Sequence, residues 1–284
     1  MELRWVDADG VRAPVLVDGS PDAPPAVLVP GLSDGLAPVT LPATRDLLRD
    51  VPLPLHRFRG VAVSYPDRPP DAPPPTTRTL AGEVAAVLDR LIDRPAWLFA
   101  HSMGAMVAQH LAADRPDLVA GLVLSATCAR ADDRLRLVLE EGQDAVVAGD
   151  WGRFARAAVD TSFTGAERAR RRLLLRWSRQ PVHPDDRVAR HLALTAAAVA
   201  HDALPRLADV TVPTLVLAGE HDPLCPPSQG RELTDGLPNA VFEVFGGLAH
   251  GFPEQAPERF AHRVLDFLDA NGARPGPAAD PATT

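Results

Sequence analysis

Lysine is missing altogether: all 29 basic residues of the 284-residue chain are arginine. That absence removes the amine needed for a Schiff base, so pyridoxal-phosphate chemistry and lysine-dependent aldolase chemistry are excluded. Cysteine is scarce. Cys128 and Cys225 have no partner at metal-ligand spacing, and buried free thiols are expected rather than a disulfide. No apolar run approaches the roughly 20 residues a membrane helix requires. Residues 1–10 are charged and short of apolar length, unlike a signal peptide. A cytoplasmic protein with no membrane partner is expected. Positive charge is also in deficit. The net charge is −8 and no long basic run interrupts it, so no nucleic-acid partner is expected. The one basic cluster, five arginines between Arg168 and Arg176, has leucines on its other face and reads as an exposed helix face.

What is present is apolar and ordered in a recognisable rhythm. Hydrophobic residues make up 46% of the chain, enough for one large domain with an insertion. Leu3–Val6 and Val11–Val17 flank Asp9-Gly10, a hairpin signal. Ala26–Val29 and Val61–Ser64 read as buried strands. Thr79–Ile92 has apolar residues at helical spacing. Trp97–Ala100, Met103–Ala113 and Leu122–Ser125 then read as strand, helix, strand, the length of a right-handed parallel crossover. From Ala131 to Asp209 the strand signal vanishes and helical periods replace it. Thr214–Ala218 and Val241–Phe245 restore the sheet, and Pro257–Leu268 closes it with a helix. These alternations predict an α/β fold with a mostly parallel sheet covered on both faces. Its core comprises residues 1–130 and 210–270, with a helical insertion over 131–209. The Gly-, Pro- and Ala-rich segment 271–284 reads as a disordered tail.

In such sheets ligands bind beyond the carboxyl ends of the strands, and three strand ends carry reactive residues. Ala100-His101-Ser102-Met103-Gly104 places a serine where a strand turns abruptly into a helix, with small residues two positions to either side. This is the nucleophile-elbow arrangement. It aims the helix N-terminus and the Met103 N–H at the serine hydroxyl. Asp222 lies four residues beyond the strand ending at Ala218, in a loop braced by prolines. His250 follows the last strand on a glycine-rich loop. A serine hydroxyl needs a base, and the base needs a partner that fixes its tautomer. Ser102, Asp222 and His250 occur in the chain order this architecture uses. Pro30-Gly31-Leu32 ends an early strand, and the Leu32 N–H is the candidate second oxyanion donor beside that of Met103. His101 must point away from the hydroxyl. His110 and the insertion's His183, His191 and His201 read as packed or surface residues. Trp151, Phe154, Phe163 and Trp177 are the large apolar side chains expected to roof a substrate pocket. No metal and no cofactor is implied.

These motifs resemble the α/β-hydrolase superfamily, in particular the small bacterial esterases, lactonases and thioesterases with a helical cap, such as the 3-oxoadipate enol-lactone hydrolase group. The matching stretches are Val27–Gly31, the Ala100–Gly104 elbow with Gln109–Ala112, Leu215–Pro226, and His250 with Pro253, Glu254, Pro257 and Glu258. The resemblance implies an eight-stranded sheet with the cap between the sixth and seventh strands. It implies a serine hydrolase acting on a carboxylic ester, lactone or thioester of a small to medium apolar substrate. Two departures stand at the rim: Pro30-Gly31 replaces the family's His-Gly, and Ser64–Pro70 replaces its Asp-x-x-Gly-x-Gly-x-Ser loop. Three alternatives remain on sequence grounds. The same triad could serve a biosynthetic tailoring enzyme through elimination, cyclisation or C–C cleavage. The fold could be a non-catalytic ligand-binding homologue. His221, Asp222 and His250 could instead bind a metal, though their spacing suits catalytic zinc poorly.

Overall fold

The computed structural model describes residues 2–42, 44, 57–67 and 72–273. Eight strands form one sheet: β1 (Glu2–Ala8), β2 (Val11–Asp18), β3 (Pro25–Val29), β4 (Arg59–Val63), β5 (Ala96–His101), β6 (Val119–Ser125), β7 (Thr214–Gly219) and β8 (Ala240–Phe245). Their spatial order is β1-β2-β4-β3-β5-β6-β7-β8. β1 and β2 pair antiparallel through the Asp9-Gly10 turn, both of whose residues take positive φ (50° and 80°), as a two-residue hairpin of this hand requires. β2 pairs antiparallel with β4, and all later pairings are parallel.

Alternation along the central strands sorts side chains to two faces. Leu98, Ala100, Leu122, Leu124 and Val216 share a core with helices α1 (Thr77–Leu88) and α2 (Met103–Asp114). Trp97, Phe99, Val123, Leu215 and Leu217 face the other way, onto the last helix, α9 (Pro257–Ala270), through Phe260, Val264, Phe267 and Leu268. α1 begins cleanly because Thr76 and Thr79 form a reciprocal capping box.

Between β6 and β7 the chain leaves the sheet for four helices: α3 (Asp133–Val147), α4 (Trp151–Ser162), α5 (Gly165–Leu175) and α6 (Asp185–Val199). The ends of this insertion meet. Ala131 N–H donates to His201 O and Ala203 N–H donates to Ala129 O, which sets Arg130 and Asp202 side by side as an isolated antiparallel backbone pair. The turn Leu204–Asp209, read with the insertion from sequence, therefore lies beyond that neck. It packs on α2, where Arg206 reaches Asp114 at 2.9 Å. After β7 comes α7 (Pro227–Gly236), and α8 (Phe252–Gln255) precedes α9.

The expected tail needs one correction. Residues 271–273 are packed rather than loose: Ala273 is buried and its N–H closes the end of α9 on Leu268 O. The remainder, 274–284, lies outside the described residues, as do 68–70 of the departing loop. No helix among the described residues is long and apolar enough to cross a membrane.

Chain connections leave β3 and β5 in opposite directions across the sheet. This opens a crevice at their carboxyl ends, where an open α/β sheet binds its ligands.

Candidate active site

Ser102 lies between β5 and α2 with φ 57° and ψ −127°, a conformation a residue with a side chain holds only when its surroundings enforce it. The surroundings are visible. Ser102 N–H donates to Ser125 O on β6 at 2.9 Å, and its carbonyl accepts from Ala105 N–H at 3.0 Å. Gly104 leaves no room for a side chain: a Cβ there would lie 2.2 Å from Val29 O and 2.8 Å from Pro30 O. On the other side of the turn Ala100 is buried opposite Val29, so the alanine standing in for the usual glycine is accommodated.

Asp222 and His250 come together. His250 Nδ1 lies 2.8 Å from Asp222 Oδ2. The other carboxylate oxygen, Oδ1, accepts from Leu224 N–H (2.8 Å) and Cys225 N–H (3.0 Å). A fully buried carboxylate held by two amides faces Nδ1 as an acceptor, so Nδ1 carries the proton and Nε2 is left as the basic nitrogen. Glu220, nearer the strand, is used differently: it accepts Gly247 N–H at 2.6 Å. The loops bearing Asp222 and His250 touch at backbone level. His221 N–H donates to Leu248 O, and a Cβ on Gly219 would lie 2.4 Å from Ala249 O. Among the described residues no hydrogen bond joins His250 to Ser102. What ties them is His101, whose ring packs edge-on against that of His250 with centroids 4.9 Å apart, while its Nδ1 lies 3.0 Å from Ser125 Oγ.

The candidate oxyanion donors face the same crevice. Gly31 passes close to the elbow, where a Cβ would sit 3.2 Å from His101 O and 3.6 Å from Ser102 Cβ. Met103 is the first residue of α2, where an N–H has no intrahelical acceptor. Neither its N–H nor that of Leu32 has a backbone acceptor among the described residues.

The insertion reaches this site from two sides. His250 N–H and Gly251 N–H donate to Thr161 O and Ser162 O at the end of α4 (3.3 and 2.8 Å). Thr164 Oγ1 donates to Gly247 O at 2.8 Å. Phe163 is buried beside Gly251, with the Arg171 guanidinium 3.7 Å from its ring centroid. On the other side Trp151 packs on Phe154, and Phe154 packs edge-on against His191 (centroids 5.6 Å apart). His191 Nδ1 in turn lies 3.3 Å from Leu32 O. Trp177 must be corrected: it is 85% exposed beyond α5 and roofs nothing. Helix α5, whose arginine cluster reads as an exposed helix face, buries none of its residues, and Leu173 and Leu174 are both largely exposed.

Sequence reasoning missed a buried polar group behind the Pro30–Leu32 turn. Asp34 accepts the Ser64 hydroxyl, Tyr65 N–H (3.0 Å) and Arg190 Nη2 (2.5 Å). Burial pushes its carboxyl above the usual range, with the Arg190 charge the largest opposing influence. Pro30-Gly31 marks the turn, but nothing in the sequence marks Arg190 as its partner. Both cysteines are free and buried, as expected. The neighbouring Cys128 thiol and burial push Cys225 well up, so it stays a protonated packing residue. Among the described residues no group of three or more His, Cys, Asp or Glu side chains is arranged to hold a metal ion.

Of the other histidines His110, His191 and His201 are buried, while His221 and His262 are exposed, and the burial has a pH consequence that His101 shares. Burial, then the His250 charge, pushes His101 down to about 3. Burial, then His110, pushes His201 down to about 3, where its Nδ1 meets Thr77 Oγ1 at 2.9 Å. His110 and His191 are lowered by burial as well. Each therefore binds its proton more weakly when folded than when unfolded. The stability they contribute is complete above about pH 6.5 and is lost as the pH falls toward 3. The arginine-paired carboxylates, such as Glu167 at about 2, release stability only at lower pH. The melting temperature is expected to drop between pH 7.5 and 5, and the drop should shrink in His201→Asn. Equal melting temperatures at the two pH values would refute this.

A mixed sheet of this order, with a strained serine elbow at the crevice, defines an α/β hydrolase. The chain belongs to the Hydrolase_4 family, described as serine aminopeptidase S33, whose model matches residues 77–254. It is similar to the protein provisionally named non-heme bromoperoxidase BpoC of Mycobacterium tuberculosis (strain H37Rv), at 30% identity over 209 residues, 68% of this chain and 75% of that protein. Among solved structures it resembles the enol-lactonase of Burkholderia xenovorans LB400, with 25% identity, a TM-score of 0.72, and coverage of 94% of this chain and 100% of that one. It also resembles MGS-M2, an α/β hydrolase from a Medee basin deep-sea metagenome library, with 17% identity, a TM-score of 0.77, and coverage of 98% and 100%.

Proposed function

We propose that this hydrolase cleaves a carboxylic ester, lactone or thioester of a small to medium apolar substrate through an acyl-enzyme on Ser102. The observation that carries the reading is the buried Asp222–His250 pair, which presents a basic Nε2, on a loop packed against the serine elbow. His250 Nε2 takes the Ser102 proton as Oγ attacks the carbonyl carbon. The Leu32 and Met103 N–H groups receive the charge that moves onto the carbonyl oxygen. Collapse of the tetrahedral species expels the alcohol or thiol, which leaves with the proton held by His250. A water molecule then repeats the sequence on the acyl-enzyme and frees the acid.

An oxygen or sulfur leaving group is favoured over an amino-terminal peptide by the charges nearby. Recognition of an α-ammonium calls for an uncommitted carboxylate at the site. The buried carboxylates of the strand-end loops, Asp34 and Asp222, are already engaged by Arg190, Ser64 and Tyr65, and by His250 and two amides. The lactone option draws on the likeness to the enol-lactonase.

A fluorophosphonate probe is expected to modify Ser102 of the wild type, and Ser102→Ala is expected to escape labelling and to lose turnover of short-chain p-nitrophenyl esters. A folded wild type that is neither labelled nor active on such esters would overturn the proposal.

A further inference from the structure

The turn that carries the Leu32 N–H is held from behind, and most of what holds it belongs to the helical insertion. Alternate carbonyls along the turn are tethered: Pro30 O by the Tyr65 hydroxyl at 2.7 Å, Leu32 O by His191 Nδ1 at 3.3 Å, and Asp34 O by Arg190 Nη1 at 2.6 Å. Arg190 and His191 are neighbours on α6. Arg190 is also the hub of a desolvated cluster. Its Nη2 donates to Asp34 Oδ2 at 2.5 Å and to Tyr65 O, with its side chain 12% exposed and that of Asp34 only 2%. The remaining oxygen of Asp34 accepts the Ser64 hydroxyl. Helix and turn meet at backbone level, since a Cβ on Gly35 would fall 2.6 Å from His191 Cα.

One further bond links this cluster to the peptide that matters. Asp34 N–H donates to Gly31 O at 3.2 Å. The Gly31 carbonyl and the Leu32 N–H belong to the same planar peptide unit. Fixing that carbonyl fixes the direction of the N–H on the opposite edge. The chain of contacts runs from Arg190 to Asp34, from Asp34 to the Gly31 carbonyl, and across the peptide plane to the Leu32 N–H.

We propose that Arg190 is a positioning residue for the oxyanion hole: through Asp34, and with His191 beside it, it orients the peptide that presents the Leu32 N–H. The insertion then does more than roof the site, because one of its helices completes the catalytic geometry of the core. The proposal rests on the reading of Ser102 as nucleophile and Leu32 as donor given above. A donor turned away by a fraction of an ångström weakens the transition state more than the ground state. Loss of Arg190 should therefore appear in kcat rather than in KM.

The test compares wild type, Arg190→Met, Arg190→Lys and Asp34→Asn on a p-nitrophenyl ester and on an alkyl trifluoromethyl ketone. Such a ketone forms a tetrahedral adduct with the serine and places its oxyanion in the hole. Arg190→Met is expected to lose up to about 100-fold in kcat with KM little changed, and ketone affinity should fall in proportion to kcat/KM. Arg190→Lys keeps the charge but not the fork, and should recover part of the loss. Should Arg190→Met fail to fold, Arg190→Lys and Asp34→Asn report the same quantities. A folded variant with unchanged kcat, or a lower kcat with unchanged ketone affinity, would overturn the positioning role while leaving the serine reading intact. A wild type that the ketone does not inhibit would remove the serine reading and the proposal with it.

Discussion

Asp222→Asn is expected to lower kcat about 10³- to 10⁴-fold while leaving the protein folded. The reason lies in how the carboxylate is already bound. Oδ1 accepts two backbone amides, from Leu224 and Cys225, and Oδ2 faces His250 Nδ1. An asparagine keeps its carbonyl oxygen toward the two amides, because its NH₂ cannot accept from them. The NH₂ then faces Nδ1 and needs an acceptor there. The imidazole meets that need by moving its proton to Nε2, which destroys the lone pair that should activate Ser102. Two of the three hydrogen bonds survive unchanged, so the melting temperature should move little. Glu220→Gln is the internal contrast: Glu220 holds only Gly247 N–H at the loop surface and should cost little activity. Ester turnover and thermal melts of both variants decide the matter. A small effect at Asp222 together with a large one at Glu220 would reverse the assignment.

Gly104→Ala is expected to be the most disruptive single methyl group in the core. Its Cβ would lie 2.2 Å from Val29 O and 2.8 Å from Pro30 O, so β3 and the start of α2 must separate. The obstacle is backbone that no rotamer change can move aside. The cost should therefore exceed the ~1–3 kcal/mol of ordinary overpacking. Because β3 leads straight into the turn proposed to carry an oxyanion donor, fluorophosphonate labelling should fail with it. Gly82→Ala is the control. Gly82 lies within α1, and a Cβ there would meet nothing within 4 Å. That substitution should stabilise the protein by ~0.5–1 kcal/mol, the ordinary helix preference of alanine over glycine. Urea denaturation of the two variants should therefore show opposite signs. A Gly104→Ala protein as stable and as reactive as wild type would contradict the described packing of the elbow.

The places where sequence and structure part are instructive. Every apolar run read as a strand coincides with one, Val61–Ser64 overrunning β4 by its last residue, because alternation and compact β-branched runs are local signals. Helix α7 gave no such signal. Its sequence, Pro227–Gly236, holds two glycines and a single buried leucine, Leu233. Gly230 is there for a tertiary reason: a Cβ would lie 2.6 Å from the Phe242 ring. A residue that weakens helix propensity is thus required by the strand beneath it. Trp177 illustrates the converse. Its size suggested a place over the substrate pocket, yet it is 85% exposed, and α5 before it buries none of its residues.

The sequence alone brought forward the serine elbow and the two residues proposed as acid and base, Asp222 and His250, since each stands among the small residues, prolines or glycines that let a chain turn at the end of a strand. It also determined the α/β class, through periods of two and of about 3.6 that any short window displays. Only the tertiary structure decided which of 29 arginines meets Asp34. The two are 156 positions apart, and their meeting depends on the face that α6 turns toward the core. Local turn chemistry is written in neighbouring residues, whereas the pairing of buried charges across an insertion is set by the direction in which whole elements pack.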